Sequence, residues 1–216
     1  MRKRLLVVAG LATALTGTIA GAAGAGQSPA GSYFGSSPLV CFDGTHDGGY
    51  YGLCSMKSGV ATLDNRTNDA TGTANSYDQY SGIYPKKSNL VGKAIADVKE
   101  LGFTYGGDAA TAGSPRISLG IDTNADGNRD DYAFISAYYC NDGAGKVDAV
   151  NDATCTIYTG SGVYANWADM VAKHPGYRVA GTPFVIADDP GVWTVSNVQL
   201  GQVPALRLVP PPGVRG

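Results

Sequence analysis

The stretch that decides the fold reads Arg116-Ile117-Ser118-Leu119-Gly120-Ile121. Isoleucine and leucine alternate there with serine and glycine, which is the period of a strand with one buried face. A polar loop follows, and residues 131–140 are then dense in Tyr, Phe and Ile. We expect a β-hairpin whose second strand is buried on both sides.

Short strand patterns continue on both sides of this hairpin, at residues 59–63, 154–158, 182–187 and 192–200. The chain also has 31 glycines and 13 tyrosines, and Glu100 is its only glutamate among 18 acidic residues. Glycine and aspartate are turn residues, so the composition indicates many turns that join short strands. We expect one mainly β domain.

Two segments have helical spacing. Residues 166–174 form the clearer helix, because Asn166 can cap its start and Pro175-Gly176 can end it. Residues 89–100 also place apolar side chains at helical intervals. Gly92 and the strand-like residues that follow leave a helix and an irregular segment equally open there.

The first residues have the layout of a secretory signal peptide. Arg2, Lys3 and Arg4 precede a short apolar run, and small residues follow it. We expect cleavage in the Ala22–Ala25 region and a secreted, extracellular protein; the alternative is an uncleaved membrane anchor. The predicted organisation is a signal peptide at 1–25, a flexible lead-in at 26–38, a single domain at 39–203 and a Pro-rich tail at 204–216.

The charge of the mature chain argues against two kinds of partner. Without the three basic residues of the signal peptide, 13 basic residues remain against 18 acidic ones. The sequence has no basic patch or stripe, so nucleic acid and anionic membranes are poor partners.

Four cysteines lie in the mature region, and an even number in an exported protein indicates disulfides. Three pairings are possible. We favour Cys41–Cys54 and Cys140–Cys155, because each closes a short local loop. A zinc site is the alternative, although neither pair has the close spacing that surrounds one metal ion.

The loop at residues 122–131 resembles the oxygen-rich calcium loops of EF-hands, dockerins and thrombospondin type 3 repeats. Short oxygen side chains at alternate positions can converge on one centre, and Gly127 permits the sharp turn. Ala133 stands where an EF-hand has its bidentate glutamate, so we expect a structural calcium site at a hairpin tip. A polar loop held by Asx turns is the alternative. The expected ligands are Asp122, Asn124, Asp126, Asn128, Asp130 and Asp131.

No catalytic motif stands out. The chain lacks a G-x-S-x-G elbow, and its two histidines do not form a His-based zinc motif. Asp188 and Asp189 precede Pro190-Gly191, which indicates turn residues. Tyr77, Tyr80 and Tyr84 border polar loops and could offer flat apolar faces to sugar rings.

Residues 60–200 resemble a loose group of uncharacterised secreted proteins from actinobacteria. The resemblance is carried by Ser114-Pro115-Arg116-Ile117-Ser118-Leu119, by Asn166-Trp167-Ala168-Asp169 and by Trp193-Thr194-Val195-Ser196-Asn197-Val198. It implies an antiparallel, jelly-roll-like β-sandwich and brings no activity with it. We expect a non-catalytic binding module for carbohydrate or another cell-envelope component. The alternative is a small secreted hydrolase that uses aspartates.

Overall fold

The central hairpin lies in the middle of a large antiparallel sheet. The computed structural model describes residues 39–45, 53–66, 79–140 and 145–202. The predicted signal peptide, lead-in and Pro-rich tail lie outside these residues. In chain order the elements are β1 (Leu39–Thr45), β2 (Leu53–Lys57), β3 (Val60–Asp64), β4 (Gln79–Pro85), β5 (Gly102–Gly107), β6 (Arg116–Asp122), β7 (Asp131–Ser136), β8 (Lys146–Asp148), β9 (Ile157–Thr159), β10 (Val163–Tyr164), α1 (Trp167–Lys173), β11 (Arg178–Val179), β12 (Phe184–Ala187) and β13 (Val192–Gln199).

The strands form two antiparallel sheets with the order of a jelly roll. The larger sheet runs β1-β4-β12-β6-β7-β9-β10, with β11 beside β6, and the smaller sheet runs β2-β3-β13-β5-β8. In both sheets a late strand lies between two early ones, since β12 separates β4 from β6 and β13 separates β3 from β5. Eight strands in the orders β4-β12-β6-β7 and β3-β13-β5-β8 make a jelly-roll β-sandwich, as the resemblance implies.

The core lies between the sheets and comes from the inward residues of both. Ile117 pairs with Ile135 and Leu119 pairs with Ala133 in the β6–β7 hairpin. All four are buried, as the alternation predicts, and each large side chain contributes roughly 1.5–3 kcal/mol of hydrophobic stabilisation. The largest fully buried side chains are Trp193, Phe103, Leu63, Ile83, Ile95, Leu101, Ile117, Leu119, Ile121, Ile135, Ile157 and Met170.

The prediction that residues 131–140 form one strand buried on both sides is wrong. Strand β7 ends at Ser136, and a short 3₁₀ turn follows at Ala137–Tyr139. The strand is buried on one side only, because Tyr132 and Phe134 point outward and stay half-buried. Because aromatic residues occupy its outer side, the sequence of this strand is as apolar as that of a strand covered on both faces.

The helix prediction at 166–174 is confirmed. Asn166 caps α1, since its side chain accepts the backbone N–H of Asp169 at 2.9 Å. Trp167 is buried and donates its Nε1–H to the carbonyl of Ile95 at 3.3 Å.

The segment at 89–100 forms only a 3₁₀ turn, at Ile95–Asp97. Gly92 has a φ of +82°, outside the helical region, and its N–H donates to the carbonyl of Val179 at 2.8 Å. Val179 in turn donates its N–H to the carbonyl of Lys93 at 2.8 Å. Pairing with strand β11 therefore replaces the helical hydrogen bonds.

Both predicted disulfides are present. Cys41–Cys54 joins edge strand β1 of the large sheet to edge strand β2 of the small sheet, with Cα atoms 5.5 Å apart. Cys140–Cys155 closes the excursion in which the chain leaves the large sheet, forms β8 and returns to β9. Two disulfides indicate an oxidising environment. Within the described ranges, no helix is long and apolar enough to cross a membrane.

Candidate functional site

The outer surface of the large sheet carries aromatic side chains from five strands. They alternate along their strands with inward residues such as Ile83, Val185 and Ile135, which are fully buried. The alternation places the rings on the opposite, outer side. We call this surface the aromatic face; it consists of Phe42, Tyr80, Tyr84, Tyr132, Phe134, Tyr158 and Phe184.

One row of this face crosses five neighbouring strands. Phe184 pairs with Ser118, Ser118 pairs with Phe134, and Phe134 pairs with Tyr158. Tyr84 extends the row, because it lies one position beyond the paired residues of β4 and β12. Neighbouring strands are about 4.8 Å apart, so the row is about 19 Å long. We call these five residues the central row.

The rings contact one another across the strands. The ring of Phe42 lies 6.0 Å from that of Tyr84 and 5.8 Å from that of Phe184, in an edge-on arrangement with the latter. The ring of Phe184 lies 6.3 Å from that of Tyr132, which stacks on Phe134 at 5.8 Å. Edge-on and offset contacts at these distances are the favourable arrangements for aromatic pairs.

Two glycines on neighbouring strands give the rings room. Phe42 pairs with Gly82 and Tyr80 pairs with Gly44. A Cβ atom on Gly82 would lie 2.7 Å from Cε1 of Phe42, and one on Gly44 would lie 2.6 Å from Cζ of Tyr80. Glycine at these positions lets each ring lie across the adjacent strand.

The aromatic face remains partly open to solvent. Tyr84 is 37% exposed, and the other rings of the face are half-buried. At its far edge Tyr158 contacts the ring of Tyr139 at 4.9 Å, and Tyr139 contacts Tyr138 at 5.0 Å. Burial and a hydrogen bond with Tyr158 raise the pKa of Tyr139 above its ordinary value.

A surface cavity of about 470 Å³ adjoins the aromatic face. The two are neighbours because the guanidinium of Arg116 lines the cavity and lies 5.5 Å from the centre of the Phe134 ring. The cavity is lined by Thr111, Gly113, Arg116, Asp188, Asp189 and Pro190.

Asp188 and Asp189 line this cavity, and the carboxylates of both accept hydrogen bonds from neighbouring side chains. Arg116 donates to both carboxylate oxygens of Asp188. Asp189 is 9% exposed and accepts a hydrogen bond from the Thr111 hydroxyl. The Ser114 hydroxyl accepts the backbone N–H groups of Asp188 and Asp189, at 2.8 and 2.9 Å. The turn prediction for these aspartates is consistent with this arrangement, since the network fixes the connection between β12 and β13.

In the loop at residues 122–131, which has the calcium-like spacing, several side chains accept hydrogen bonds from the loop's own backbone. The Asp122 carboxylate is buried and accepts the backbone N–H groups of Asn124, Ala125 and Gly127 at 3.1, 2.6 and 2.8 Å. Burial opposes ionisation of this carboxyl, but the N–H donors together outweigh it, and the pKa of Asp122 lies below its ordinary value of 3.8. Asn124 and Asp126 repeat the pattern, each accepting the N–H two residues ahead, from Asp126 and Asn128.

The last two aspartates of this loop, Asp130 and Asp131, form hydrogen bonds with different parts of the chain. Asp130 accepts the backbone N–H and the hydroxyl of Thr123, both at 2.8 Å. Asp131 accepts the backbone N–H of Gly160 at 2.8 Å and that of Ser161 at 3.1 Å. In the part of the chain that the structure describes, no three acidic, histidine or cysteine side chains form a group that could hold a metal ion. The calcium prediction is not tested by this observation and stays a prediction.

The tyrosine prediction identifies one edge of the aromatic face. Tyr80 and Tyr84 both lie on β4, beside Phe42, whereas Tyr77 lies outside the described residues. Sequence reasoning missed the remaining members. The available signal was the pair Tyr132 and Phe134, two residues apart in a strand whose alternate positions are also apolar.

Asn65 belongs to the glycosylation-type triplet Asn65-Arg66-Thr67, yet its side chain is 1% exposed. Its Nδ2 donates to the carbonyls of Ala187 and Asp189 at 2.8 and 3.4 Å, and its Oδ1 accepts from the Ser81 hydroxyl. The nitrogen that would carry a glycan is therefore engaged inside the fold.

Comparison with known proteins gives no assignment, because the chain matches no protein-family model, no curated protein and no solved structure. The resemblance to secreted actinobacterial proteins therefore stays a prediction.

Proposed function

We propose that the protein is a secreted, non-catalytic binding module that holds a carbohydrate, or another hydroxyl-rich component of a cell envelope, on its aromatic face. The observation that carries the proposal is the central row, in which four rings on neighbouring strands leave part of their surface exposed. Large aromatic residues contribute most when buried, so an exposed row of them marks an interaction surface. Sugar rings have flat apolar faces that stack on such side chains.

The shape of the surface supports a long ligand. The central row is about 19 Å long, four times the spacing between strands. Three of its four rings contact Phe42 or Tyr132, which restricts their side-chain freedom before a ligand binds. We therefore expect a chain of several linked sugar rings to bind better than a single sugar.

The test is binding of the mature protein to a panel of soluble polysaccharides and insoluble envelope polymers, by affinity electrophoresis and by sedimentation. Tyr84→Ala and Phe134→Ala should each weaken binding at least tenfold, which corresponds to about 1.4 kcal/mol. Leu53→Ala is the control, because Leu53 is also a large exposed apolar residue but lies on the small sheet. Equal binding by all three variants would refute the proposed face.

The calcium ion remains part of the proposal, as a structural ion at the tip of the β6–β7 hairpin. Its support is the spacing of short oxygen side chains over residues 122–131, together with the lone pairs that the Asp126 carboxylate keeps after accepting one N–H. Calorimetry and thermal melting with millimolar calcium test it. A rise in melting temperature that chelator reverses supports the ion, and an unchanged melting curve contradicts it.

The alternative function is a small hydrolase that uses aspartates, and one observation favours it. Asp188 and Asp189 are adjacent carboxylates beside a cavity of about 470 Å³. Arg116 donates to both oxygens of Asp188, so this carboxylate is already engaged within the fold, which supports the binding module instead. Release of reducing ends from the bound polysaccharide, lost in Asp189→Asn, would establish the hydrolase.

Secretion completes the proposal. The two disulfides support export to an oxidising compartment, and the signal-peptide pattern supplies the route. N-terminal sequencing of protein from the culture medium should give a start just after the Ala22–Ala25 region. Retention of Met1 on cell-associated protein would contradict this.

A further inference from the structure

Ser118 is the exception in the central row. It lies in the middle of the five strands, with Phe184 paired on one side and Phe134 on the other. Tyr84 and Tyr158 occupy the two ends, so every other member is aromatic. Ser118 belongs to the outer surface by its place in the strand, yet it is only 1% exposed.

Among the described residues, the Ser118 hydroxyl also lacks a hydrogen-bond partner, because none of them offers its Oγ a donor or an acceptor. A buried hydroxyl without a partner lowers stability, and alanine would fill nearly the same volume without that cost. Packing between two aromatic rings therefore does not account for a serine at this position.

We propose that the Ser118 hydroxyl is the polar contact at the centre of the aromatic face, and that the ligand is an uncharged, hydroxyl-bearing chain that crosses the strands along the central row. This inference rests on the proposed function. The rings supply stacking, which every sugar can use, whereas one hydroxyl at a fixed point selects a ligand with a hydroxyl opposite it. The ring of Phe184 or Phe134 turns when the ligand binds and uncovers the Oγ, because these half-buried rings are its nearest neighbours across the paired strands.

The charges around the row favour an uncharged ligand. The central row itself has no ionisable group apart from its tyrosines. Arg116, two positions before Ser118, is paired with Asp188. Arg129 lies over the Tyr132 ring at 4.4 Å, but it comes from the loop whose aspartates would repel an acidic polymer.

The experiment is calorimetric titration of the mature protein with cello-, xylo- and chito-oligosaccharides and, separately, with polygalacturonate. Ser118→Ala should bind the preferred neutral oligosaccharide at least tenfold more weakly while its melting temperature stays equal to or above that of the parent protein. Ser55→Ala is the matched control, since Ser55 is an exposed serine on the small sheet. It should bind as the parent protein does.

The outcomes separate this inference from the function on which it rests. Parent-like binding by Ser118→Ala, with binding still lost in Tyr84→Ala, overturns the role of Ser118 and leaves the aromatic face in place. Preference for polygalacturonate overturns the uncharged ligand class. Loss of affinity in Ser118→Ala that accompanies a lower melting temperature assigns Ser118 to packing and also overturns the inference. Binding of no saccharide by the parent protein overturns the proposed function itself.

Discussion

Replacing Arg116 by methionine should destabilise the fold through the network beside the aromatic face. The guanidinium donates to the carbonyl of Gly113 at 2.6 Å and to both oxygens of Asp188. The Arg116 side chain is 17% exposed and that of Asp188 is 26% exposed, so solvent reaches only the edge of the pair. Methionine keeps much of the apolar stem against Phe134 but leaves the carboxylate without its cation.

The magnitude follows from the degree of burial. Removing one partner of a fully buried ion pair costs about 3–5 kcal/mol, and an exposed pair contributes at most about 1 kcal/mol. We expect Arg116→Met to lower the free energy of unfolding by about 2–3 kcal/mol, and the melting temperature by about 4–12 °C for a domain of this size. Asp188→Asn should cost about 1–2 kcal/mol, because the amide oxygen still accepts one bond.

Urea unfolding followed by tryptophan fluorescence measures both variants, since Trp167 and Trp193 are buried and should change emission on unfolding. The double variant completes a thermodynamic cycle with an expected coupling of about 1–2 kcal/mol. Losses below about 0.5 kcal/mol, or a coupling near zero, would show that the pair is not structural and would refute the reasoning.

Three further predictions concern other parts of the fold. Replacing Cys140 and Cys155 together by alanine should lower the free energy of unfolding by about 3 kcal/mol, from the chain entropy of a 15-residue closure, and an unchanged urea midpoint would contradict this. The lowered pKa of Asp122 means that its ionised form adds stability above about pH 4, which is lost as the pH falls through the folded-state pKa. Asp122→Asn should therefore melt lower at pH 7 and show a flatter acid dependence, whereas parallel pH profiles would rule out this role. Asn65→Ala leaves buried partners unsatisfied and should cost about 2–3 kcal/mol, and mass spectrometry of protein from a glycosylating host should find Asn65 unmodified.

The sequence predicts a mainly β domain, the α-helix at 166–174 and both disulfides. These features rest on local signals: strict alternation at Ile117, Leu119 and Ile121, a capping Asn166, and cysteines that close short loops. Such features can be predicted because each depends mainly on residues that are close together in the sequence. The jelly-roll arrangement of the strands is what the resemblance to secreted actinobacterial proteins implies.

The aromatic face could not be predicted in the same way. Its members come from β1, β4, β7, β9 and β12, and only strand pairing brings them together. An outward ring also adds to the apolar character of its strand, so the sequence around Tyr132 and Phe134 predicts a strand buried on both sides. A strand with aromatic residues on its outer side thus has the same sequence pattern as a strand buried in the core. The burial of the Ser118 hydroxyl without a partner among the described residues depends on tertiary packing, so it could not be predicted from the sequence.

The most direct test of the aromatic face is amide chemical-shift mapping by nuclear magnetic resonance, with the isotope-labelled mature protein and the saccharide that binds best. We expect the largest shifts at Tyr84, Ser118, Phe134, Tyr158 and Phe184 and at their immediate neighbours. The small sheet, including Leu53 and Ser55, should stay unchanged. Shifts confined to the cavity beside Asp189 or to the loop at 122–131 would contradict the account.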